Sequence, residues 1–394
     1  MRLRTLDDLG DVSGKRVFVR VDFNVPLDGG DVADDLRIRA ALPTLTELLD
    51  GGAALVLASH LGRPKGRVVD ELRLAPVGDR LSELIGRDVF ALDDVAGEEA
   101  HAACGHVEPG EIVLLENLRF DPGEEANDPA FAGSLASLAD LYVDDAFGAA
   151  HRSHASVVAL ANRLPSFAGR LLQREVEALS RLVEGPEEPY VAILGGAKVS
   201  DKLGTIEALV PRVDALLIGG AMSFTFIAAD GGEVGDSLVE PDRFDEARAA
   251  RKLAEGHGTR ILLPEDVVAA ADATLDSERA TVPAAEIPPG AKGLDIGPRT
   301  VEAFTGAIAG AKTILWNGPM GVFELEPFSA GTQGVAEAVA GSGAFSVVGG
   351  GDSLLAVKRL GLEDAFDHLS TGGGATLEFI EGKRLPGIVA LEAS

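Results

Sequence analysis

Two doubly wound parallel α/β sheets, in two domains, are the fold class predicted for this chain. Three observations predict it. The 394 residues suit two domains of roughly 150–200 residues better than one. The candidate strands are nearly continuous apolar runs, the pattern of strands buried on both faces. Helical stretches lie between them, and strand–helix alternation favours parallel sheets.

The elements follow in order. Residues Arg16–Val21 form the first strand, and Ile38–Leu49 has apolar residues at helical spacing. Residues Ala53–Ala58 are apolar throughout, a strand covered on both faces, and Ala75–Ile85 is the next helix. The strands Ile112–Leu115 and Leu141–Asp144 close the first half. Pro165 and Gly169 then punctuate the chain. A helix starts around Leu171, is clearest over Arg174–Val183, and stops before the turn-rich Gly185-Pro186-Glu187-Glu188-Pro189. The domain boundary is therefore expected between residues 165 and 185. Beyond it come strands Tyr190–Leu194, Ala215–Ile218, Arg260–Leu263, Thr313–Trp316 and Phe345–Val348. Helices Lys202–Val210, Phe244–Glu255 and Gly331–Ala340 alternate with them. Nine strands are many for one sheet, so two sheets are the simpler solution.

Composition removes several classes of function. There are 35 Lys plus Arg against 63 Asp plus Glu, a net charge of −28. This excludes a general attraction to nucleic acid or anionic lipid. The apolar fraction of 46 % excludes acidic disorder. One cysteine, Cys104, excludes a disulfide framework and a cysteine zinc site. No apolar run approaches the ~20 residues of a membrane span, and the N-terminus lacks a signal-peptide core. A cytoplasmic location is expected. The basic residues are 26 Arg and only 9 Lys, which with the acidity suggests a surface adapted to a salt-rich cytoplasm. An ordinary acidic bacterial protein is the plainer alternative.

In doubly wound sheets, ligands bind beyond the carboxyl ends of the strands. The segment Arg20-Val21-Asp22-Phe23-Asn24-Val25-Pro26 places Asp22 and Asn24 on one side of an extended run, or in a turn. Ser59-His60-Leu61-Gly62-Arg63-Pro64-Lys65-Gly66-Arg67 gathers scarce basic groups with two glycines after the second strand. Arg119 and Arg152 follow the third and fourth strands, and Arg37 opens the first helix. Repeated at so many strand ends, the pattern reads as a basic pocket for a small polyanion.

The second half opens with Gly195-Gly196-Ala197-Lys198-Val199-Ser200-Asp201-Lys202. A glycine pair leading into a helix that carries two lysines on one face would suit phosphate. It is neither a Walker A loop nor a Gly-x-Gly-x-x-Gly fingerprint. Trp316–Glu324 holds the only tryptophan, a Gly-Pro turn and one acid. In Gly349-Gly350-Gly351-Asp352-Ser353, Asp352 is either an N-cap or a magnesium ligand beside phosphates. Ser370-Thr371-Gly372-Gly373-Gly374-Ala375-Thr376 offers consecutive amides before the apolar helix Leu377–Ile380.

Together, in order and spacing, these segments resemble the phosphoglycerate kinase family over nearly the whole chain. Short loops resemble its prokaryotic branch, and the acidity resembles a halophilic archaeal member. The resemblance implies two Rossmann-like domains and a reversible transfer between 1,3-bisphosphoglycerate and ADP, giving 3-phosphoglycerate and ATP. It implies an N-terminal substrate domain (1–170), a hinge helix (171–185) and a nucleotide domain (186–370). A final segment (371–394) is expected to return to the first domain. The substrate would lie among Asp22, Phe23, Asn24, Arg37, His60, Leu61, Gly62, Arg63, Arg119 and Arg152. The nucleotide would lie among Lys198, Lys202, Gly219, Gly220, Gly293, Asn317, Glu324 and Gly350, Gly351, Asp352 and Ser353, with Asp352 on Mg²⁺. Arg37, Lys198 and the amides of Gly372, Gly373 and Gly374 would serve the transfer itself. A monomer is expected, closing about its hinge, with no nucleic-acid or membrane partner. Two departures, Ala221 where many members have a third glycine and Ser153 where alanine is common, touch the adenine pocket at most. A different kinase that forms an acyl phosphate, or a non-catalytic nucleotide sensor, are the competing readings.

Overall fold

Burial on both faces is what the strand β1 (Arg16–Arg20) achieves, with Val17, Phe18 and Val19 fully enclosed. It sits inside a six-stranded sheet with β2 (Ala54–Ala58), β3 (Val89–Ala91), β4 (Ile112–Leu114), β5 (Leu141–Asp144) and β6 (Ser166–Ala168). The order is β3-β4-β2-β1-β5-β6 and every pairing is parallel. Helices α1 (Leu36–Asp50) and α2 (Ala75–Ile85) bury Ile38, Leu45, Val77 and Leu81 against it. The chain first winds from β1 towards β2 and later returns to its other side with β5. The ends of β1, β2, β4 and β5 therefore surround the switch point of the sheet.

The computed structural model describes residues 2–393. It divides into two units, the first running to Glu177 and resuming at Arg384, the second being Ala178–Lys383. The boundary thus lies within α3 (Arg170–Val183). The returning segment begins at Arg384, not at residue 371, because residues 374–380 form a helix that packs in the second unit.

The second unit holds another six-stranded parallel sheet. Its strands are β7 (Tyr190–Leu194), β8 (Ala215–Ile218), β9 (Arg260–Leu262), β10 (Thr313–Asn317), β11 (Phe345–Gly349) and β12 (His368–Ser370). Their order is β9-β8-β7-β10-β11-β12. Trp316, Phe304 and Ile314 lie in its core. The expected fold class is met by both sheets. Not expected was a three-stranded antiparallel sheet of residues 266–270, 279–283 and 292–296. One strand of it, Arg279–Pro283, is largely exposed and has no apolar run to announce it. Helix α4 (Met222–Ala229) was also not foreseen, because burial on nearly every side removes its helical periodicity. Among the described residues no helix is long and apolar enough to cross a membrane.

A buried carboxylate joins β5 to α3. Asp145 Oδ1 accepts from the amides of Leu171 (2.8 Å) and Leu172 (3.2 Å), the first turn of that helix. A Cβ at Gly169 would fall 2.2 Å from the same oxygen, so only glycine admits the contact. Burial raises the Asp145 carboxyl to about 7, against the hydrogen bonds that favour its charge. The folded chain then holds a proton that the unfolded chain, titrating near ~3.9, has released. Stability accordingly falls as pH rises through this window, by up to about 1.4 kcal/mol per pH unit for one proton. Asp145→Asn keeps an oxygen acceptor and removes this titration. Urea unfolding between pH 4.5 and 7 is expected to show a shallower decline in the variant, and an unchanged slope would contradict the assignment.

Candidate active site

The basic pocket of the first unit is built from strand ends. Asp22 and Asn24 leave β1 in an extended segment. Asp22 Oδ2 accepts from Arg37 Nη1 (2.7 Å), the second residue of α1. Asn24 Oδ1 accepts from the amide of Gly62 (2.9 Å), tying the loop after β2 to that after β1. Arg119, after β4, is 3 % exposed and donates to the Gly62 carbonyl (2.7 Å). Burial, then Arg152 and Arg20, lowers its guanidinium to about 10, which leaves it charged at neutral pH. His60 is buried among Arg20, Arg119, Arg37 and Arg152. Burial, then these cations, holds it well below the usual imidazole range. Its 4.0 Å approach to Asp22 is therefore not an ion pair.

Of the candidates, the structure gathers Asp22, Asn24, His60, Gly62, Arg119 and Arg152 from these ends, with Arg37 from the start of α1. Arg63 is exposed on the same loop. Phe23 and Leu61 instead place their side chains in the hydrophobic core, which leaves only their backbone for a ligand. The sequence reading missed Arg20 and Glu124. Both are fully buried, and Ser156 bridges them: its hydroxyl donates to Glu124 Oε1 (2.6 Å) and accepts from Arg20 Nε (2.9 Å). An arginine ending a strand whose preceding three residues are apolar, Arg20, was the available signal.

In the second unit the turn after β7 differs from expectation. Lys198 and Lys202 do not share a helical face, because the helix starts only at Leu203. The Glu240 carboxylate takes both the amide (3.0 Å) and hydroxyl (2.6 Å) of Ser200, and this bends residues 199–202 into a turn. Lys198 is exposed there. Lys202 is largely enclosed, and its ammonium donates to Asn317 Oδ1. Desolvation brings Lys202 down to about 8, with Asp201 and Asp352 acting in the opposite sense. Asn317 Nδ2 is buried without a partner, close to where a Cβ of Gly350 would stand. The N-cap reading of Asp352 fails. Gly350 is the cap, with no side-chain bond, and Asp352 lies in the first turn of α5 (Gly351–Leu360). Ser353 Oγ accepts from the Gly318 amide (2.7 Å).

Beside this cluster is a largely apolar cavity of about 300 Å³. Gly220, Phe224, Leu238, Gly293, Glu324 and Asp352 are among its lining residues. A Cβ at Gly293 would meet the Phe224 ring at 2.1 Å, and one at Gly219 would meet Met320 Sδ at 2.4 Å. These glycines let the Phe224 ring and the Met320 side chain, both part of the cavity wall, pack directly against the backbone. Gly372, Gly373 and Gly374 precede or open the helix Gly374–Ile380, and Gly373 has φ +56. Among the described residues there is no group of three or more His, Cys, Asp or Glu able to hold a metal.

The model of one protein family, described as phosphoglycerate kinase, matches residues 6–383. The chain belongs to the phosphoglycerate kinase family. It is 56 % identical to the phosphoglycerate kinase of Thermomicrobium roseum over 389 residues, 99 % of each chain. Against that of one Thermus thermophilus strain it is 57 % identical over 391 residues, 99 % of this chain and 100 % of the other. The solved phosphoglycerate kinase structure from Coxiella burnetii superposes with a TM-score of 0.88 at 40 % identity, covering 99 % of each chain. These relatives are bacterial, and a halophilic archaeal affinity finds no support in them. As a phosphoglycerate kinase, the protein transfers a phosphoryl group reversibly between 1,3-bisphosphoglycerate and ADP, a step of glycolysis.

The enclosure of Lys202 generates a direct test. Its amine is expected to react with an acylating reagent at a rate rising through pH 8, read at the Lys202 peptide by mass spectrometry. A profile that rises only near ~10.4, as for exposed lysines, would contradict the burial argument.

Proposed function

We propose that the basic pocket of the first unit holds 3-phosphoglycerate or 1,3-bisphosphoglycerate, and the cavity of the second holds MgADP or MgATP. The observation that carries the reading is the convergence of His60, Arg119 and Arg152 from strand ends, and of Arg37 from the start of α1, in a chain with net charge −28. So acidic a protein admits a polyanion only where cations are concentrated. Phosphoryl transfer asks little covalent chemistry of the protein; it asks for alignment and for positive charge on the moving oxygens. Arg37 and Lys198 supply that charge, with the amides of Gly372, Gly373 and Gly374. Lys202 and Asn317 hold nucleotide phosphates, which give the buried Nδ2 its missing acceptor. Glu324 holds the ribose side, and the cavity lined by Gly220 and Gly293, with Gly219 packed behind Met320, takes the adenine.

Magnesium bound with the nucleotide would neutralise charge on its phosphates, and one or two protein carboxylates would suffice to hold it. Asp352, at a helix start beside the cavity, fits that need. No general base is required, because the acceptor is already ionised. Closure about residues 165–185 unites the substrates for direct in-line transfer and excludes water from the acyl phosphate. The enzyme works in the cytoplasm as a monomer on this reading.

Two outcomes are expected. Arg37→Ala and Lys198→Ala should each lower kcat by orders of magnitude while leaving ADP affinity close to wild type, measured by a coupled assay and calorimetry. Unchanged turnover would remove Arg37 from the mechanism, and a loss confined to ADP affinity would make Lys198 a nucleotide ligand only. The acidic shell is further proposed as an adaptation to salt. A KCl series should then raise both activity and unfolding temperature, since screening relieves self-repulsion. Full activity and stability in dilute buffer would remove this part and leave the kinase part standing.

A further inference from the structure

Arg20 lies outside the set of residues assigned to the substrate above, yet it is fully buried in their midst at the end of β1. A guanidinium is always charged and carries donors only. All three of its nitrogens are engaged. Nε donates to Ser156 Oγ (2.9 Å), Nη1 donates to the Val21 carbonyl, and Nη2 faces His60 Nδ1 at 3.1 Å. Ser156 is itself fixed, since its amide (2.9 Å) and hydroxyl (2.6 Å) both donate to Glu124. The single hydroxyl proton is thereby directed to Glu124, and Ser156 meets Arg20 as an acceptor. The guanidinium has one orientation that satisfies these partners.

The consequence falls on His60. Because Nη2 can only donate, Nδ1 must accept, and the ring proton resides on Nε2. We propose that Arg20 is a positioning residue, locking His60 as the neutral Nε2–H tautomer so that it meets the substrate's anionic oxygens as a donor of fixed protonation. The proposal rests on the reading that this pocket holds 3-phosphoglycerate. The charged groups that face His60 are Arg20 and Asp22 from the end of β1, Arg37 from α1, Arg119 after β4 and Arg152 after β5. Four of the five are cations, so protonating the ring would add a fifth positive charge and break the bond to Arg20. The single carboxylate, Asp22, is already engaged by Arg37 at 2.7 Å. Neutral imidazole gives the pocket a directional bond in addition to charge.

The test reads the ring itself. Nitrogen-15 NMR of the full chain labelled at histidine, with His60→Gln to assign the signal, is recorded between pH 5 and 8. The expected result is an Nε2–H pattern for His60 that does not titrate. A proton on Nδ1, or titration near ~6.5, would overturn the proposal. Adding 3-phosphoglycerate should shift the Nε2 signal. An unshifted signal with a correct tautomer would count against the substrate reading and leave the tautomer intact. Arg20→Met should release the ring, giving KM for 3-phosphoglycerate a severalfold change between pH 5.5 and 7.5 beyond that of the wild type. Arg20→Lys, which keeps a donor, should restore most of the wild-type profile. A folded Arg20→Met protein with the wild-type profile would overturn the proposal, and if that variant does not fold, the wild-type spectrum decides.

Discussion

A parallel sheet covered on both faces leaves polar side chains nowhere to emerge except its ends. That constraint organises both halves of this molecule. Within β2 every residue is buried, and the functional groups begin immediately after it, at Ser59 and His60. The same holds at the end of β10, where Asn317 follows the buried Trp316. Four strand ends of the first sheet thus bring Asp22, His60, Arg119 and Arg152 together from positions up to 130 residues apart.

The placement has an electrostatic cost. Cations concentrated in one pocket repel each other and lose hydration, which is visible in the lowered values of Arg119 and His60. The structure offsets this with buried acceptors. Asp22 faces Arg37, and Glu124 reaches Arg20 through Ser156. Burial raises the Glu124 carboxyl, and the nearby Arg20 opposes that rise. A buried ion network of this kind is a weak source of stability but a strong source of order, since removing one partner strands the others.

Much of this was legible in the residues. The apolar runs located nearly every central strand because continuous hydrophobicity is the direct signature of two-sided burial. The strand ends located the basic pocket because basic groups recur there in a chain where acids outnumber them 63 to 35. Other features were hidden for physical reasons. The turn that separates Lys198 from Lys202 depends on Glu240, 40 residues away in sequence from Ser200. The antiparallel sheet of residues 266–296 carries an exposed strand without alternation. Arg20 belongs to a legible motif, but its role arises from Ser156 and His60, which only the folded chain sets beside it.

The first unit is discontinuous in the chain. Arg4 donates its amide to Leu391, Gly387 donates to Ala150, and Ala393 donates to Arg2. Residues 384–393 therefore finish a structure whose sheet was made more than 200 residues earlier. During synthesis the second unit, though translated later, has all of its own residues before the first has received its last ones. The unit that precedes in the chain is thus the one completed later, and the Ala150 carbonyl, just before Arg152, waits for its Gly387 partner until residues 384–393 are made.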